Sequence, residues 1–103
     1  MRVVWHPRAK EVRDQIANYI SRQFGRKSKI HFLQDVRETT QLLKSSPNIG
    51  IIDPLFIDRS KTYRSVIIHG LSKMVYYNED DIIYIAAFWD TRREPNAQAA
   101  QVK

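Results

Sequence analysis

The chain contains no cysteine. That excludes thiol nucleophiles, a disulfide framework and any cysteine-based zinc site. Histidine is scarce too: there are three, at positions 6, 31 and 69, and none stands at metal-ligand spacing. No metal and no other cofactor is therefore expected. With three glycines and four prolines in 103 residues, there is no low-complexity tract and no linker long enough to separate domains. No apolar run approaches the roughly 20 residues a membrane span requires. The opening Met1-Arg2-Val3-Val4-Trp5 is strand-like and runs straight into a helical pattern, unlike a leader peptide. A soluble, cytoplasmic protein is the expectation. Acidic residues are the minority charge, 11 against 17 Lys and Arg, for a net +6. Such a surplus suits a polyanion or an acidic protein partner. Its plainer reading is charge that keeps a small domain in solution.

What is present has two periods. Met1 to His6 is β-branched and aromatic, as in a short strand. Pro7 suits the first turn of a helix. From there to Phe24, Ala9, Val12, Ile16, Tyr19 and Ile20 recur at i, i+3, i+4 spacing, with Arg8, Lys10, Glu11, Arg13 and Asp14 opposite. Gly25 ends that helix. Ser28 is read as the cap of a second helix to about Ser45, with the stripe Ile30, Leu33, Val36, Thr40 and Leu43. The pair forms an antiparallel helical hairpin in which Val12, Ile16 and Ile20 meet Leu33, Val36 and Leu43.

After Gly50 the period changes. Residues 50–61 read as a loop with a short edge strand. Three strands then follow as an antiparallel meander: Tyr63–His69, Lys73–Asn78 and Asp81–Trp89. The last is apolar on both faces, so it belongs inside the sheet with both sides covered. The hairpin covers one side, and little chain remains for the other. The fold class is therefore α+β, in the order β-α-α-β-β-β, with the helical hairpin on one face of a mainly antiparallel sheet. One domain spans 1–95, and a polar tail, read as frayed, spans 96–103.

Three stretches, in order, resemble the RelE/ParE superfamily of type II toxins. They are Val4-Trp5-His6-Pro7-Arg8-Ala9-Lys10; Tyr63-Arg64-Ser65 with Ser72-Lys73-Met74-Val75-Tyr76-Tyr77; and Ile83 through Trp89 to Asp90-Thr91-Arg92-Arg93-Glu94-Pro95. The first and the Arg-Arg-Glu-Pro ending lean toward the ParE side. The resemblance implies a toxin neutralised by a cognate antitoxin. It also implies one of two targets: DNA gyrase, poisoned by ParE-type members, or mRNA, cut on the ribosome by RelE-type members.

Cutting RNA without a metal needs a base for the 2′-hydroxyl, cations for the phosphate and an acid for the leaving oxygen. By resemblance, Arg64, Lys73 and Arg93 stand at the positions of RelE-type cations, and are expected to line one sheet face. Yet Val66 stands where a second catalytic lysine belongs, and the tail has no Tyr or His. His69 is the one side chain near these strands that titrates near neutrality. If the chain were RelE-like, its catalytic set would be Arg64, Lys73, Arg93 and His69. The reading favoured by what is missing is a ParE-like gyrase poison, with Arg64, Lys73, Arg92 and Arg93 engaging the target. Whether the chain is an enzyme follows that choice. The other alternative is a non-toxic nucleic-acid-binding module.

Plainer readings stand beside these. Arg64 and Lys73 are then solvated strand residues, Arg92 and Arg93 pair with Asp90 or Glu94, and His69 is a surface histidine next to a turn. Tyr76, Tyr77 and Tyr84 are then cross-strand packing rather than a base-stacking platform. Glu79-Asp80-Asp81 is a solvated turn. The two-faced apolar strand suggests that an antitoxin segment lies over an exposed apolar sheet face or groove.

Overall fold

The computed structural model describes residues 1–102. Strand β1 (Arg2–Trp5) leads into helix α1 (Pro7–Phe24), with Pro7 in its first turn as its missing N–H allows. Helix α2 (Arg26–Ser45) follows after a single residue, Gly25. Gly25 has φ of +96°, a region glycine alone enters freely. Its N–H donates to Ser21 O and its carbonyl accepts from Lys29 N. The second helix thus starts two residues before the expected cap. Ser28 lies inside it, its hydroxyl donating to Phe24 O.

The second half supplies β2 (Ile51–Ile52), a 3-10 turn at Pro54–Phe56, β3 (Arg64–Ile68), β4 (Ser72–Glu79), β5 (Ile82–Asp90) and a short α3 (Pro95–Ala99). The five strands form one sheet in the order β1-β5-β4-β3-β2. Only β1 is parallel to its neighbour, β5; the other pairings are antiparallel. The acidic turn Asp80-Asp81 joins β4 to β5 with both residues at positive φ, the two-residue hairpin geometry that Asp tolerates. Between Val75 and Tyr76 the register slips by one residue, leaving Ala86 as a bulge.

The helical pair covers one sheet face. Ala9, Val12, Ala17, Phe32, Val36 and Leu43 pack there on Met74, Tyr76, Ile83, Ile85 and Phe88. Ile16, Ile20 and Leu33 join at the margin of this core. The stripe of α2 differs from the sequence reading at its start. Ile30 is exposed, and Phe32 enters the core instead, edge-on to Phe88.

The other face is closed as well, which the sequence reading did not anticipate. Phe56 from the 3-10 turn, Tyr63, and Val102 from the chain end bury Val75, Tyr77, Ala87 and Trp89. The stretch read as a frayed tail therefore has a packing role. Glu94 caps α3 by accepting from Asn96 N and Ala97 N. The Gln101 amide donates to Phe88 O and accepts from Phe88 N, completing the edge of β5 beyond the end of β1. Position 103, the last of that tail, lies outside the described residues.

Candidate binding surfaces

Strand alternation and register decide where the candidate cations go. Arg64 pairs with Tyr76, and Lys73 pairs with Ile67 and Trp89. Tyr76 belongs to the helix-side core and Trp89 to the opposite core. Arg64 and Lys73 therefore stand on opposite faces, and the expectation that Arg64, Lys73 and Arg93 line one face is corrected. The relative register of β3 and β4 decides this parity, and it is set by the His69-Gly70 turn.

Each of the three strand and turn residues also has a structural partner. Arg64 Nη1 donates to Gly50 O at 2.9 Å. Beside it the Tyr76 hydroxyl donates to Pro47 O and accepts from Gly50 N. This cluster pins the loop from α2 to β2. Lys73 Nζ lies 2.7 Å from Asp53 Oδ2 and 5.1 Å from the centre of the Trp89 ring. Asp53 is 1% exposed. Its Oδ1 accepts from Leu55 N, while Oδ2 has no well-directed hydrogen bond, so the Lys73 ammonium is what offsets its charge. His69, at the β3–β4 turn with φ of +56°, has its Nε2 against the Asp35 carboxylate of α2. Among the described residues no group of His, Asp or Glu could hold a metal ion.

Arg92 and Arg93 differ from these. Arg92 is mostly exposed and forms a two-pronged pair with Asp90, one of the plainer pairings considered. The Arg92 guanidinium holds the Asp90 carboxyl below its usual range, against a smaller opposing effect of burial. Glu94 is committed to its cap, and Arg93 makes no side-chain ion pair among the described residues. Both arginines border an open groove of about 590 Å³ between α1 and the β5–α3 link. Arg8 and Arg22 border the same groove from α1, with Trp89 and Val12 among its lining.

A second groove, about 470 Å³, runs between the hairpin tip and the β3–β4 turn. It is the more apolar of the two, lined by Tyr19, Ile20, Phe24, Phe32, Ile68 and Leu71 among others. Phe24 is 70% exposed and Leu71 52%, so large apolar side chains here face solvent. Exposed apolar side chains also stand on the β2–β3 edge of the sheet, where Ile51 is 69% and Ile67 54% exposed. Ile16, Tyr19, Asp90 and Arg92 border both grooves, which makes them continuous.

Arg8 and Arg22 are not among the site residues expected from sequence, where Arg8 falls on the solvated side of α1. A signal was present: positions 8, 15 and 22 are seven apart and so share one helix face. Asp53 carries no such signal, since its partner is 20 residues away.

The chain matches the family described as ParE toxin of type II toxin–antitoxin system, parDE, over residues 3–95. No curated protein matches it. Among solved structures it is similar to one titled "Chromosomal ParDE TA system from P. aeruginosa", with a TM-score of 0.65 and 19% identity. That similarity covers 82% of this chain and 89% of the other, a likeness of fold. No helix among the described residues is long and apolar enough to cross a membrane.

Proposed function

The chain belongs to the ParE toxin family of type II toxin–antitoxin systems, and on that premise we propose that it is a cytoplasmic toxin directed at DNA gyrase and silenced by a cognate antitoxin. The observation that carries the choice of target is the separation of Arg64, Lys73 and His69. They occupy different faces and ends of the sheet, and each is held by a structural partner: Gly50 O, Asp53 and Asp35. Metal-independent RNA cleavage needs cations, acid and base converging on one phosphate. Losing general acid–base catalysis alone removes roughly 10²–10⁴ in rate. Blocking a protein machine needs only a complementary surface. Arg92 and Arg93 are the candidate cations that face open solvent at a groove, and they are the target-engaging pair. Arg64 contributes at the rim of a separate polar depression with Lys61 and Asn78, and Lys73 acts through folding.

The antitoxin occupies the apolar groove beside Phe24 and Leu71, presenting the apolar stripe of a helix or strand. A stable complex of this kind buries more than about 1,000 Å² in total.

The test is expression in growing cells, with DNA breaks and mRNA integrity followed together. Growth arrest with DNA breaks and intact mRNA is expected, relieved by co-expression of the protein encoded beside it. Truncated mRNA with intact DNA would overturn the gyrase reading in favour of a ribosome-dependent endoribonuclease. Unimpaired growth would favour a non-toxic nucleic-acid-binding module.

A further inference from the structure

Four arginines and no lysine border the groove between α1 and the β5–α3 link. Arg8, Gln15 and Arg22 form one wall. Their seven-residue spacing sets Arg8 and Arg22 about 21 Å apart along the helix axis. Arg92, Arg93 and Gln98 stand opposite. The one acidic side chain on the lining is Asp90, and both its oxygens are engaged by Arg92. Arg8 is bonded to Glu11 by one nitrogen, Nη1. Arg8 and Arg92 are thus paired with carboxylates, and Arg22 and Arg93 carry the groove's surplus of positive charge.

We propose that this groove seats the phosphate backbone of duplex DNA, which deepens the gyrase reading and rests on it. Guanidinium groups match phosphate through paired, planar hydrogen bonds, which lysine does not offer. Gln98 adds a neutral donor beside the charges, and Gln15, whose amide donates to Glu11 Oε1, keeps one further N–H. An acidic peptide is the other occupant to weigh, but it would need apolar anchoring points within the groove. Trp89 is 1% exposed there, and the exposed apolar side chains Phe24 and Leu71 lie in the neighbouring groove. Single-stranded nucleic acid is held by several stacked aromatics, and this groove has one exposed ring, Tyr19. What remains is a surface that reads a backbone and no bases. Because Tyr19 and Arg92 border both grooves, an antitoxin in the apolar one would also cover some of the DNA path.

The experiment is fluorescence anisotropy of the purified chain with a labelled duplex of about 25 bp across a salt series. Arg22→Gln/Arg93→Gln is compared with Lys10→Gln/Lys27→Gln, which removes equal charge outside the groove. Binding that weakens steeply with salt is expected. The first pair should lower the log–log salt slope by about two and the second should leave it unchanged. Equal losses from both pairs would mean diffuse attraction and overturn the proposal. So would tighter binding of poly-glutamate, of single-stranded DNA or of duplex RNA, or no binding at all. An unbound duplex, with DNA breaks still forming in cells, would sink this inference and leave the gyrase reading standing. A bound duplex with intact cellular DNA would do the reverse.

Discussion

The two faces of the sheet are both closed, but by opposite means. On one face, two helices of 18 and 20 residues lay regular apolar stripes across the strands. On the other, a three-residue turn, a loop tyrosine and the last residues of the chain do the same work in pieces. The first cover is periodic and made from neighbours in sequence. The second is assembled from segments some 40 residues apart, such as Arg59, whose guanidinium donates to Val102 O at 2.7 Å. Polar chemistry follows the same division. The helix side buries a tyrosine hydroxyl with both its bonds made to backbone. The far side encloses a carboxylate–ammonium pair.

The sharpest way to break this contrast is to hollow out the helix side. Phe32→Ala should cost about 3–5 kcal/mol, the range for a buried aromatic truncation, read as a fall in the urea midpoint. A smaller effect than that of Val102→Ala would reverse the ranking of the two faces. On the far side, Lys73→Ala should cost about 3 kcal/mol, because it strands a buried carboxylate without compensation. Asp53→Ala should cost less, since the partly exposed ammonium can turn toward water. Equal costs would remove the asymmetry between the two partners, and no cost from Lys73→Ala would show that Lys73 is not a folding residue and return it to the target surface. Tyr76→Phe should cost about 2 kcal/mol by leaving Gly50 N and Pro47 O unpaired. Val102→Ala should cost about 1.5 kcal/mol, the loss of two methyl groups from a thin cover, with proteolysis at the chain end rising in step.

The smallest effect is one of pH. Burial raises both Tyr76 and Tyr77 above the ordinary tyrosine value, and Lys61 opposes the rise at Tyr77. The unfolded chain therefore loses these protons first. Stability should be complete below about pH 10, the unfolded value, and fall as pH rises through the folded values. Tyr76→Phe should flatten that alkaline decline in a denaturation series. An unchanged slope would remove Tyr76 from the account.

Much of the fold was legible because it rests on local period. Helix α1, the meander and the interior place of β5 follow from apolar spacing within single segments. The start of α2 was misplaced because Ser28 has the side chain of a cap, whereas a lone glycine at φ of +96° made the junction without one. Ile30 was preferred to Phe32 for a similar reason. Both fit a helical stripe, and only the position of Phe88 chooses between them. Less of the candidate surface could be read. Arg92 and Arg93 were found because they adjoin the last strand, while Arg8 and Arg22 gain meaning only when that strand's end comes to lie beside α1.

What the sequence by itself determined is the element order, the helix-covered core, the basic surplus and the resemblance that leads to the ParE family. Each depends on residues within a few turns of one another, or on totals. What only the tertiary structure decided is which charges share a surface. Strand register put Arg64 and Lys73 on opposite faces, and a partner 20 residues away turned Lys73 inward. The crossing of α1 past the end of β5 gathered four arginines into one groove. Register and crossing are set by the packing of whole elements, and no local pattern of residue types encodes them.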